Sequence, residues 1–319
     1  VLSQCEGFKH SSVPFAEKAF EIMGQKTGAF TTVATIDTAI LDKAQLPPEQ
    51  LPALGKLLME YNEPAKTVSI LAWTAGCFIK EHLRMSGVKF PHLMLIGEAG
   101  SGKSNTLERV ILPVFSRSKV IAAGQVTAFT LMKDSASSNL VPQALDEFKP
   151  SKIDRFRLDT LYNHFRNAYD GLEGLRGKAD QTTVSYELLA PLVVAGEESA
   201  DEAAIRERNI ELLFSKKDLK SVEYRLNFHK LAASSQQLGC LGRSLLETAL
   251  QTTPDDVLTW HREGITSFVK ELPSRVLNNL ACCHTGLCLL VRLCAEFGYS
   301  WHEVFPYSRE VCAKYLERA

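Results

Sequence analysis

The sequence lacks the features that mark several large protein classes. Its charges almost cancel, with 36 lysines and arginines against 37 aspartates and glutamates, so no basic surplus advertises a nucleic-acid coat. A motor that grips DNA with a few loops remains compatible with that balance. No apolar run reaches the ~20 residues of a spanning helix, which argues against a membrane protein, and no signal peptide is visible. Eight cysteines are too few and too scattered for a disulfide scaffold, and a reduced, cytoplasmic protein is the simpler reading. Internal repeats and low-complexity tracts are missing too. The chain starts at Val1 without a methionine, as expected of a processed or excised segment of something longer.

What is present is ordinary for a globular chain. Of 319 residues, 45% are hydrophobic and 23% charged, enough for a substantial core. The length suggests two domains, or one of about 200 residues with appendages. Residues 1–62 read as a partly irregular lead-in, with a break at Leu46-Pro-Pro-Glu-Gln-Leu-Pro52. Between Glu63 and Met85, Val68, Leu71, Ala72, Ala75, Phe78, Ile79 and Leu83 recur at helical spacing and predict an amphipathic helix packed on the next domain, ended by Ser86-Gly87.

From residue 89 to 216, apolar strand-like runs alternate with helical patterns. Strands are expected at Pro91–Ile96, Val120–Ala123 and Leu188–Ala195, and helices at Lys103–Phe115, Thr127–Met132 and Lys152–Ala168. That alternation predicts an α/β fold, a parallel sheet flanked by helices. From Ser221 onward nearly everything reads as helix, giving a helical C-terminal subdomain over 217–319.

The strongest motif is Gly97-Glu98-Ala99-Gly100-Ser101-Gly102-Lys103-Ser104, followed by Asn105. It fits the phosphate-loop pattern, and it has the context that gives the pattern force: an apolar strand before it and a helix after it. Glycines let the backbone curl its N–H groups around phosphate oxygens, and the helix N-terminus adds unpaired donors. Lys103 would reach the β- and γ-phosphates and Ser104 would ligand Mg²⁺, so ATP with magnesium is the expected ligand. No Asn-Lys-x-Asp motif for reading guanine is present.

A phosphate loop needs a carboxylate from a neighbouring strand. Asp146 and Glu147 are the best pair, Asp146 to hold the metal and Glu147 to act as general base on water. Past the strand ending at Ala195, Glu197, Glu198 and Ser199 are the choices for a polar group sensing the γ-phosphate. Arg206 and Arg208 end a short helix that feeds a strand. From there an arginine can project into a neighbouring subunit's nucleotide site, or it can simply pair with Glu202 or Glu207. The glycine-rich stretch over 171–180 reads as a loop or hairpin tip, and Arg176 and Lys178 on it could touch a DNA backbone.

In order, these segments are Gly-Glu-Ala-Gly-Ser-Gly-Lys-Ser, Leu-Asp-Glu-Phe, Gly-Leu-Arg-Gly-Lys-Ala, Val-Val-Ala-Gly-Glu-Glu-Ser and Ala-Ile-Arg-Glu-Arg. The series resembles the AAA+-type P-loop helicase ATPases of bacterial mobile elements, found beside primase modules and in cassette-chromosome replication proteins. The resemblance covers about residues 65–250, and only the phosphate loop is specific in itself. It implies a ring-forming ATPase, with hexamers expected, that translocates on single-stranded DNA, works at a fork and has a primase as partner or fused module. It also implies that Arg208 is the arginine finger and that the 172–183 hairpin points into the pore. The chain departs from the family pattern at Pro142 and Gln143, and in the acidic end of the sensing strand.

Cys282, Cys283, His284, Cys288 and Cys294 invite a zinc reading, but the spacing lacks paired C-x₂-C units. The stretch 276–297 is better read as a core helix, and Trp260 and Trp301 as packing. Two other readings of the whole chain are a P-loop ATPase that remodels protein complexes without DNA, and a small-molecule kinase.

Overall fold

The computed structural model describes residues 39–177, 183–268 and 271–318. A five-stranded parallel sheet lies at its centre, in the order β2-β3-β6-β1-β7. The strands are β1 His92–Gly97, β2 Ile121–Ala122, β3 Gln143–Phe148, β6 Leu192–Gly196 and β7 Asn209–Phe214. Two further strands, β4 Glu173–Gly177 and β5 Thr183–Glu187, form a separate antiparallel hairpin. The chain is therefore an α/β protein with a parallel sheet flanked by helices, as its pattern predicts.

Both faces of the sheet are covered, which explains the unbroken apolar runs of the central strands. Leu93 and Leu95 of β1 join the large core shared with the N- and C-terminal helices. Met94 and Ile96 point the other way, into a core with Leu161, Tyr162 and Phe165 of the helix Arg155–Asp170. Two strands start directly after a proline. Pro142 precedes β3 and Pro191 precedes β6, and Gln143 N donates to Pro191 O at 2.8 Å, so neither imide nitrogen falls inside the ladder. The run expected from Leu188 is accordingly shortened at its front.

Two expectations for the helices change. The amphipathic helix predicted over 63–85 is two helices, Pro64–Cys77 and Lys80–Met85, parted at Phe78-Ile79. The first is buried on every side from Thr67 to Cys77, because the long helix Ser274–Glu296 packs across it. The two backbones approach so closely that a Cβ on Gly286 would lie 1.9 Å from Ala72 O. That long helix also corrects the statement about apolar runs. Over its 23 residues it is long and apolar enough to cross a membrane, yet 72% of its apolar window is buried within the fold. Cys282, Cys283, Cys288 and Cys294 are buried on it with free thiols, and burial raises their pKa.

Gln143, a polar residue in a core strand, is fully buried, and its amide nitrogen and oxygen each have a partner. Its amide donates to Leu131 O at 3.0 Å and accepts from His164 Nε2 at 2.7 Å. A satisfied amide costs the core little.

The hairpin opens from the end of the helix Arg155–Asp170 and closes into the sheet. Only Leu188–Pro191 separate β5 from β6, and Leu189 N and Ala190 N are both held by Ser135 O.

Candidate functional site

The carboxyl ends of β1, β6 and β3 converge on one edge of the sheet. From β1 the chain enters the loop 97–102, then the helical run Lys103–Thr106, continued by a π-helical turn at Leu107–Ile111. Gly100 and Gly102 have φ of 77° and 95°, the left-handed region that favours glycine, and Gly102 caps the helix. Gly97 is needed for a different reason: a Cβ there would lie 2.1 Å from Phe214 O. Lys103 is buried and its Nζ donates to Glu98 O at 3.2 Å, spanning the loop. Ser101 is fully buried and its hydroxyl has no partner, while Ser104 is half-buried and Asn105 exposed. A curled loop with two positive-φ glycines, a lysine across its mouth and an orphaned hydroxyl fits a chain of phosphates.

Asp146 and Glu147 end β3, but β3 is not beside β1. Strand β6 lies between them, so the neighbouring-strand expectation is corrected to one strand removed. The register of β3 on β6 breaks between Leu145 and Phe148, and Glu147 sits at φ 57°. A non-glycine residue in that region is strained, and such strain is held only where surrounding contacts impose it. Here Asp146 Oδ1 accepts the Glu147 N–H at 2.7 Å, and Glu197 N donates to Phe148 O at 2.9 Å. Gly196 permits this approach, since a Cβ on it would lie 2.2 Å from Phe148 O. The bulge leaves Glu147 exposed and Asp146 half-buried at the sheet edge.

The three sensing candidates at the end of β6 are all engaged. Glu197 pairs with Lys149, which holds its carboxyl below the usual range, and the charge of Lys103 pushes in the same direction. Glu198 accepts from Ser151 Oγ at 2.6 Å and from Ser151 N at 3.0 Å, which lowers its pKa as well. Ser199 donates to Glu211 at 2.6 Å. Lys149 is the main cause of the low Glu197 pKa, with a smaller push from the charge of Lys103 on the phosphate loop.

The arginines lie at the opposite edge of the sheet, before β7. Arg208, favoured by the resemblance, is half-buried and tied within its own subunit. It donates to Asp170 at 3.1 Å and to Ala204 O at 2.7 Å, and its guanidinium faces the Tyr169 ring. Arg206 is exposed; its backbone N–H donates to Glu202 O at 3.2 Å, and among the described residues no hydrogen bond or ion pair engages its guanidinium. On the hairpin, Arg176 stacks on Phe129 at 3.8 Å from the ring centre. Lys178 lies outside the described residues.

Several residues at the site carry no local motif. A cavity of about 240 Å³ borders the phosphate loop at Gly100, Gly102 and Asn105 and is lined on its far side by Tyr61, Tyr224 and Phe228. The Tyr61 hydroxyl is buried without a hydrogen-bond partner, and burial raises its pKa. Asn62, Arg225 and His229 also line the cavity. These come from segments on either side of the core and meet only in the fold. The run Tyr224–His229, with aromatics four apart, was the one signal available beforehand.

No family model matches the chain, and no curated protein does. Solved structures do. An active-helicase structure of SCCmec type IV Cch is similar over 79% of this chain and 47% of its own, at 13% identity and a TM-score of 0.54. The apo C-terminal region of NrS-1 is similar over 83% and 71% at 12% identity, with a TM-score of 0.39. The chain spans about half the length of the Cch helicase. At such identities the likeness is one of fold alone: the Cch structure shares the parallel sheet flanked by helices.

Proposed function

We propose that the chain is the ATPase portion of a nucleic-acid motor, which binds ATP with Mg²⁺ on the loop 97–104 and uses hydrolysis to move along single-stranded DNA and part duplexes. The observation that supports this best is the convergence on one sheet edge of a phosphate loop with Lys103 across it, the bulged pair Asp146-Glu147, and Glu197 on the strand between them. The ATPase core would run over 89–216, with helical parts before and after it.

In this reading the loop N–H groups and Lys103 bind the β- and γ-phosphates. The Ser104 hydroxyl and Asp146 carboxylate are hard oxygen donors of the kind magnesium takes, and the ion would neutralise charge on the phosphates. Glu147 accepts a proton from the attacking water. The cavity beside the loop takes the nucleoside, with the Tyr61 hydroxyl as its hydrogen-bonding group. Arg206, rather than the internally paired Arg208, reaches a neighbouring subunit's γ-phosphate, which requires a closed ring such as a hexamer. The hairpin β4–β5 contacts DNA, with a primase as possible companion module at the fork.

A second reading, remodelling of protein complexes, is favoured by one observation. The hairpin region exposes Leu172 and Leu175, and Arg176 is stacked on Phe129. Steady-state ATP hydrolysis with and without single-stranded DNA, with Lys103→Ala as blank, separates the two. A DNA-dependent rise supports the motor, and hydrolysis indifferent to DNA supports the remodeller.

A further inference from the structure

The chain leaving β7 brings a second lysine over the phosphate loop. Gly97 of β1 and Phe214 of β7 are register partners, so the two strands leave the sheet side by side. The segment after β7 must therefore pass close to the loop. It does so with Lys216, whose Cε lies 3.6 Å from where a Cβ on Gly100 would stand, and with Leu219, equally near Gly102. Asp218 fixes this segment by accepting from Ser215 N at 2.9 Å and from Lys66 Nζ at 2.6 Å. With Asp218 neutralised by Lys66, the segment presents Lys216, Lys217 and Lys220 as exposed cations.

Glu98 is where both cations of the loop rest. Its carbonyl accepts from Lys103 Nζ at 3.2 Å. Its carboxylate accepts from Lys216 N at 3.0 Å and lies 3.6 Å from Lys216 Nζ. The Lys216–Glu98 pair is 59% and 52% exposed, so it is weak and easily exchanged. Phosphate oxygens of a triphosphate carry more charge than one carboxylate and make stronger charge-assisted hydrogen bonds.

Resting on the nucleotide reading above, we propose that Lys216 is a second phosphate-binding cation, held by Glu98 and passed to the nucleotide's outer phosphates on binding. The residue acts in the same subunit as the loop. Its segment leads directly into the helix Val222–Ala233, which carries Tyr224 and Phe228 of the cavity. A lysine drawn onto the phosphates thus pulls the cavity wall toward the nucleoside. Glu98, by the same logic, opposes binding: it competes for the lysine and sets a negative charge beside the phosphates.

The test is equilibrium titration of the full chain with mant-ATP and mant-ADP in magnesium, for wild type, Lys216→Ala, Lys216→Arg, Glu98→Gln and Lys103→Ala. Lys216→Ala should weaken mant-ATP binding about tenfold, the loss of one charge-assisted hydrogen bond, and mant-ADP binding less. Lys216→Arg should stay near wild type. Glu98→Gln should tighten mant-ATP binding about two- to fivefold, the scale of a surface ion pair. The opposite signs are the signature, because a merely structural ion pair would respond alike to loss of either partner. If Lys103→Ala loses binding while the Lys216 and Glu98 variants shift together or not at all, the inference is overturned and the nucleotide reading stands. If wild type binds neither probe, both are overturned.

Discussion

Arg208 reaches back to Asp170, Nη2 to Oδ2 at 3.1 Å, and this pairing divides the labour of the two arginines before β7. Asp170 is partly buried, which by itself raises its pKa, yet hydrogen bonds from Lys89 and Arg208 outweigh burial and hold it low. In the reading proposed above, Arg208 acts as a structural cation. Arg206→Ala should lower hydrolysis by about 10³-fold, the scale of a lost arginine finger, with an unchanged melting temperature. Arg208→Ala should cost about 1–3 kcal/mol of stability, because it leaves part of a buried network unpaired. A denaturant melt beside an ATPase assay of both variants checks the division, and a destabilised Arg206→Ala would sink it.

Glu147 and Lys103 should separate chemistry from binding. Glu147→Gln keeps the shape of the bulge and removes the base, so hydrolysis should fall by about 10²–10⁴-fold with nucleotide affinity retained. Lys103→Ala should lose affinity itself. Equal loss of binding in both would mean that Glu147 is not the base.

Tyr61→Phe should move stability and affinity in opposite directions. The hydroxyl is buried and unpartnered, so its removal should leave stability unchanged or raise it. If the hydroxyl bonds the nucleoside, ATP affinity should fall about three- to tenfold, one neutral hydrogen bond. Unchanged affinity would take the nucleoside out of the cavity.

Acid should unfold the protein through two core histidines. Burial lowers the pKa of His92 to about 4 and of His164 to about 3, where each donates from Nε2 to an oxygen, Phe165 O and Gln143 Oε1. In the unfolded chain each histidine returns to its ordinary value of 6.5 and so binds more protons below it. Stability should therefore be level above pH 6.5 and fall as pH drops toward 4, by about 1.4 kcal/mol per pH unit for each histidine. Chemical denaturation across that range measures the slope, and His164→Gln should reduce it.

Gly196→Ala should be among the most damaging single changes. Its Cβ would meet Phe148 O at 2.2 Å, so β6 must part from the bulge that carries Asp146 and Glu147. A cost of about 1–3 kcal/mol is expected from such overpacking, together with loss of hydrolysis. A variant with wild-type melting and wild-type hydrolysis would show that the strand ends can move apart freely.

The legible parts of this protein are those where local chemistry dictates local shape. The strand–loop–helix around Gly97–Ser104 could be read because glycine, lysine and serine at that spacing serve little else. The parallel sheet followed from apolar runs alternating with helical ones. What stayed hidden depended on strand order and on distant partners. Gln143 looked like a flaw in its strand, since its two partners, Leu131 O and His164, come from elsewhere in the chain. The placing of β6 between β1 and β3 is a property of the sheet rather than of any segment. Tyr61 and Lys216 reach the loop from positions far apart in sequence, and neither sits in a recognisable pattern. The Arg208 preference came from order alone, whereas the contact with Asp170 is tertiary.

Only the four residues Leu188–Pro191 part the hairpin from β6, and the far end of β6 leads straight into Glu197. Along β6, Leu192 to Gly196 rise about 3.3 Å per residue between two flanking strands that both hydrogen-bond to it. In the motor proposed above, β6 would thus link the DNA-contacting hairpin to the Glu197 end of the site.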